Sequence, residues 1–212
     1  MGYRRAYSHD LRSTHYDAEQ QAAADCRHYL CCRNGAALAA INKQSLWLDE
    51  AASWWFATGP LVRALHSEFT NPPLYYTLLY LWVHLFGTSE VALRGLSVIP
   101  SVASVWFTYR LAWKLFSQGV AVLSAGYMAV STFQIYYAQE ARCYALLVCF
   151  LLAAARDLWN AVTSDTRKQV AIHYALYTLA AILACCTHYI AVFFWRATAS
   201  MSYSGSATRC SG

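Results

Sequence analysis

From residue 72 to residue 195 the chain alternates long apolar runs with short charged breaks. Four of the runs approach the roughly 20 residues that a membrane-spanning helix needs, and they cover about 93–113, 119–138, 141–160 and 170–194. A fifth run, Pro73 to Phe86, reads "PLYYTLLYLWVHLF" and has 14 residues. As a helix it rises about 21 Å, against a hydrocarbon core of about 30 Å. It also carries His84 together with Tyr75, Tyr76, Tyr80, Trp82 and Phe86. That length and composition predict a helix lying in the membrane interface, not a span. A second interfacial stretch is expected over about 49–66.

The pattern therefore predicts an all-α fold: a polytopic integral membrane helical bundle over 44–195, with interfacial helices ahead of the spans. Residues 1–43 form a polar segment that keeps only "AALAAI", 36–41, as the remnant of a first helix, and 196–212 read as a polar tail.

Charge gives the bundle an orientation. Arg110 and Lys114 end the first long run, while Arg156, Arg167 and Lys168 surround the end of the third. By the positive-inside rule both loops are cytoplasmic. The turn near 138–142, the segment beyond 188 and the start of the first span near Glu90 and Arg94 then face the other side. If Pro73–Phe86 stays in the interface, the acidic pair Asp49–Glu50 shares that outer face.

Composition sharpens the class. The chain is 58% hydrophobic and 16% aromatic but only 13% charged, about half the charged fraction of an ordinary soluble domain. Its 8 Trp and 16 Tyr suit a bilayer interface. No basic stretch interleaved with aromatics points to nucleic acid. The 8 cysteines do not form the paired spacings of a zinc site.

Two constellations and one lone residue carry candidate chemistry. In "QSLWLDEAASWW", 44–55, Asp49 and Glu50 are crowded by Trp47, Leu48, Trp54 and Trp55, surroundings in which adjacent carboxylates are costly without a use. The loop "YYAQEARCY", 136–144, breaks a stretch that is uncharged from Lys114 to Glu140. It sets Gln139, Glu140, Arg142 and Tyr144 close together, and arginine grips phosphate through parallel hydrogen bonds. Its position on the side where arginine is disfavoured adds weight to a functional reading over snorkelling to headgroups. His188, in "THYIAVF", falls near the outer end of the last span, where a packed interfacial histidine is the commoner case.

Taken in order, "LWLDEAAS", "NPPLYYTLLYLWVHLFGTSEVALR" and "YYAQEARCYAL" resemble the N-terminal part of membrane glycosyltransferases of the GT-C superfamily. The likeness is to the group that includes the protein O-mannosyltransferases and the aminoarabinose transferases, and it extends over about 44–195. It implies a polyprenyl-phosphate-linked sugar as donor, a bilayer as surroundings and transfer to an acceptor hydroxyl at the extracytoplasmic face of a cell membrane. By position, Asp49 matches the catalytic acidic residue, expected to act as general base on the acceptor hydroxyl, and Glu50 its partner. Arg142, with Gln139 and Glu140, matches the donor-phosphate loop, and His188, Tyr189 and Tyr144 match further donor or acceptor contacts. The resemblance leaves the acceptor and the transferred sugar open. No cofactor is implied with certainty; a divalent cation is compatible with carboxylates sharing a face with His188, although hard cations need more oxygen ligands than the pattern supplies.

Relatives of this kind are longer at both ends, so the chain reads as an N-terminal piece. The competing reading is therefore a truncated, non-catalytic membrane fragment or lipid-binding subunit of the same ancestry. A small transporter with Glu140, Arg142 and His188 as a relay ranks below both, because these charges fall at run boundaries instead of mid-membrane.

Overall fold

The computed structural model describes residues 46–66 and 72–198. The remnant of a first helix, the rest of the polar N-terminal segment and the tail from 199 lie outside the described residues. All regular elements among the described residues are helices. They are α1 (Leu48–Thr58), α2 (Leu61–Leu65), α3 (Leu74–Phe86), α4 (Glu90–Leu115), α5 (Gln118–Val130), α6 (Thr132–Ala138), α7 (Tyr144–Thr163) and α8 (Arg167–Thr187), followed by a helical turn over 191–198, α9.

The chain is an all-α membrane helical bundle. Helices α4, α7 and α8 are each long and apolar enough to cross a bilayer. Helix α7 packs between α4 and α8, and α5 lies on the other flank of α4. Large side chains such as Leu123 and Val130 on α5 and Leu179 and Ile182 on α8 remain exposed, as lipid contact requires and water would not favour.

The boundaries differ from the hydropathy pattern where side chains and backbone intervene. The run over 119–138 is two helices, α5 and α6, bent by 57° at Ser131, whose backbone is extended at φ −59°, ψ 123°. Beyond the bend Gln134 is buried and its amide donates to Ser101 of α4 at 3.0 Å. A lone amide among apolar residues must find a partner, so the pair ties α6 to α4. The last run also breaks: α8 stops at Thr187, where His188 turns extended (φ −158°) before α9. The stretch over 49–66 is interrupted at Gly59–Pro60, with Pro60 capping α2.

Helix α3 is 13 residues long. It ends on Gly87, whose φ of 89° is left-handed backbone that glycine alone enters without strain. Ser89 then caps α4, its hydroxyl accepting the Ala92 N–H at 3.2 Å. The indole of Trp82 donates to the Ala92 carbonyl at 2.7 Å, closing the corner.

Two polar zones sit at opposite ends of the bundle. At the end where α4 and α7 finish and α8 begins, Lys114 donates to Asn160. There buried Asp157 accepts from Arg156 at 2.8 Å and lies 3.1 Å from His173 of α8. At the other end α1, α2 and α3 pack around a small core of Phe56, Ala57, Tyr75, Tyr76, Leu79 and Leu93 that also takes in Ala141 and Cys143. That core carries the α6–α7 loop onto α1, and so assembles the candidate site.

Candidate active site

Adjacent residues on a helix point about 100° apart, so Asp49 and Glu50 cannot share one environment. Glu50 belongs to the face of α1 that buries Ser53, Phe56 and Ala57, whereas Trp54 and Trp55 stay exposed. Its carboxylate is 1% exposed. Arg94 of α4 meets it with two bonds, Nε to Oε1 at 2.9 Å and Nη2 to Oε2 at 2.7 Å. The Ala141 N–H adds a third, to Oε1 at 2.9 Å. One carboxylate thus joins α1, α4 and the α6–α7 loop.

Asp49 stays half-buried at the rim, its side chain 41% exposed, and Oδ2 lies 3.4 Å from Nη2 of Arg142. The backbone of that loop is held in turn: the Ser97 hydroxyl donates to the Arg142 carbonyl at 3.3 Å. The guanidinium lies 5.7 Å from the Tyr144 ring centre, within cation–π range. Tyr144 also faces His188, with ring centres 6.0 Å apart. Asp49, Arg142, Tyr144 and His188 therefore form one continuous line of contacts, although they come from three different segments of chain.

Burial, and then the neighbouring Arg142, hold His188 below the ordinary histidine range. Its Nδ1 accepts the Ile190 N–H at 3.2 Å. A neutral ring accepting at Nδ1 carries its proton on Nε2, so His188 offers a donor to whatever reaches it. Cys143, next to Arg142, is buried, and burial pushes its thiol up to about 11. It is a packing residue, not a nucleophile.

The remaining sequence candidates sit differently. Gln139 is half-buried at the end of α6, where its N–H is shared between the Ile135 and Tyr136 carbonyls at 3.2 and 3.0 Å. Tyr189 is exposed. Glu140 is buried, with Oε1 lacking a hydrogen-bond partner and Tyr136 bonding its carboxyl.

Burial raises the Glu140 carboxyl above the usual range; Glu50 and Asp49 add to this and Tyr136 and Arg142 oppose it. The folded chain then holds this proton more tightly than the unfolded one. The stabilisation is complete below the ordinary glutamate value and is lost as pH rises through the folded value. Glu140→Gln, which keeps the shape without the charge, should flatten the fall in melting temperature as pH rises above the ordinary glutamate range. A variant whose melting temperature follows pH as steeply as the native chain would show that Glu140 ionises freely in the fold.

Arg94 is the functional-zone residue that hydropathy reading passed over, as the mere start of a span. A signal was present: like Arg142, it is an arginine at the edge of an apolar run, where ionisable groups are costly and tend to be functional. Its partner, 44 positions earlier, was not legible. As for a divalent cation, no group of three or more His, Cys, Asp and Glu side chains among the described residues comes together to hold one. Glu50 is taken up by Arg94 and Ala141, which leaves Asp49 as the open carboxylate at the rim.

Comparison with known families agrees with this picture at the level of ancestry. A family model described as dolichyl-phosphate-mannose-protein mannosyltransferase matches residues 70–203. The matched stretch holds Arg94, the α6–α7 loop and His188, and it begins after Asp49 and Glu50. Neither the curated proteins nor the solved structures give a match.

Proposed function

Because the chain belongs to the dolichyl-phosphate-mannose-protein mannosyltransferase family, and so to the membrane glycosyltransferases of GT-C type, we propose that it moves a sugar from a polyprenyl-phosphate donor to an acceptor hydroxyl. The family uses a polyprenyl-phosphate-linked sugar and works in a lipid membrane. The observation that carries the proposal for these residues is the approach of Asp49 to Arg142 at 3.4 Å. A base and a phosphate-binding cation are the two groups that this transfer needs, because phosphate leaves readily without acid help.

In the proposed reaction the Asp49 carboxylate takes the proton of the acceptor hydroxyl. The oxygen attacks the anomeric carbon, and the bond from that carbon to the phosphate oxygen breaks. The electron pair departs with the phosphate, where Arg142 stabilises the growing charge. Neutral His188 and Tyr144 sit beside Arg142 as hydrogen-bonding groups for sugar or phosphate. Glu50 acts by positioning, since its oxygens are already bonded. The extracytoplasmic face is supported by the basic residues Arg110, Lys114, Arg156, Arg167 and Lys168 gathered toward the other end of the bundle.

The test is consumption of polyprenyl-phosphate mannose by membranes carrying the chain. Arg142→Ala should lower turnover by about 10²–10³-fold, the usual loss when one preorganised charge-stabilising donor is removed. Turnover that survives this change would remove Arg142 from the chemistry and the proposal with it.

A further inference from the structure

Two acid–arginine pairs arise from neighbouring residues of α1, and they are built differently. Glu50 and Arg94 are closed on one another: two bonds of 2.9 and 2.7 Å, side chains 1% and 4% exposed. Asp49 and Arg142 are open. Their contact is 3.4 Å long, well beyond the roughly 2.7–2.9 Å of a charge-assisted bond. It engages one edge of the guanidinium, and Nε of Arg142 is buried without a hydrogen-bond partner. The arginine is the more buried member, 12% exposed against 41% for the acid. A planar fork of five donors that meets only the distant Asp49 oxygen and the Tyr144 hydroxyl, with Nε left over, is incompletely satisfied, and a phosphate, with several oxygens on one centre, suits it better.

Asp49 in this state turns a carboxylate oxygen toward a cation, and an oxygen so engaged is not turned toward a substrate hydroxyl. From this geometry, and resting on the reading of Asp49 as base and Arg142 as phosphate site, we infer that Asp49 and the donor phosphate compete for Arg142, so that arrival of the donor releases the base. The pair then works as an ordering device: acceptor deprotonation waits until the donor is seated. The exchange breaks one ion pair and forms another. No covalent bond changes, and the charge that Arg142 neutralises passes from carboxylate to phosphate.

The test is equilibrium binding of farnesyl phosphate, a short prenyl phosphate, to the full chain in detergent, followed by tryptophan fluorescence. Asp49→Asn removes the competitor and should bind roughly two- to fivefold more tightly than the native chain, the scale of a solvent-exposed ion pair. Asp49→Ser, a different side chain without the charge, should do the same, and melting curves matching the native chain certify each variant as folded. In an Arg142→Gln background the tightening should vanish. Unchanged or weaker binding in both Asp49 variants, with Arg142→Gln still impaired, overturns the competition and leaves the transferase reading standing. An equal tightening in the Arg142→Gln background also overturns it, because Asp49 would then act through space and not through the arginine. Native-level binding by Arg142→Gln itself sinks the phosphate-site reading on which the inference depends.

Discussion

Asp49→Asn should lower sugar transfer by about 10²–10⁴-fold, the range that a positioned general base contributes, with the protein made and inserted as before. The asparagine has nearly the same shape and cannot accept a proton at working pH. Glu50 cannot substitute, for it is buried and committed to Arg94 and the Ala141 N–H. The fold should hardly notice the change. The Asp49–Arg142 contact is long and half-exposed, and pairs of that kind are worth about 0–1 kcal/mol. Initial rates with polyprenyl-phosphate mannose, measured beside melting curves of the same preparations, separate lost chemistry from lost folding. A folded Asp49→Asn variant that still turns over donor would rule out the base assignment.

Arg94→Ala produces the largest loss of stability. It leaves the Glu50 carboxylate 1% exposed with one backbone N–H for company. Breaking a buried pair from one side costs about 3–5 kcal/mol, because an uncompensated charge remains inside. The damage also reaches the site, since Glu50 links α1 to the loop that carries Arg142. Replacing both partners together, Glu50→Leu with Arg94→Leu, should cost far less in stability, as paired removal of a buried ion pair often does. The loop still loses the anchor at Ala141, so transfer should stay impaired in the double variant. Thermal unfolding of Glu50→Leu, Arg94→Leu and the double variant yields the coupling directly. Independent, additive effects would mean that the pair is not the clamp that its geometry describes.

Some of this organisation is legible along the chain because it is written in local terms. A run of about 20 apolar residues needs no knowledge of its neighbours to prefer a bilayer. Arg142 stands out because it interrupts a long uncharged stretch at the boundary of such runs. The bend at Ser131 was not legible in the same way. "AVSTF" holds neither Gly nor Pro, and what lies beyond the bend is a bond from Gln134 to Ser101, 33 positions earlier. Nor could the run over 170–194 reveal its own break at His188, since an apolar composition continues through it.

The acidic pair marks the division most sharply. By itself the sequence determined the membrane class, the long apolar runs, the shortness of α3, and the presence of two carboxylates and an arginine at the edges of apolar segments. Periodicity and transfer energy act within a single stretch of chain, and they suffice for that much. Only the tertiary structure decided that Glu50 turns inward to Arg94 while Asp49 stays at the rim facing Arg142. Which carboxylate is buried depends on where α4 and the α6–α7 loop dock on α1. A charge accepts burial only where a partner from a distant segment arrives to meet it.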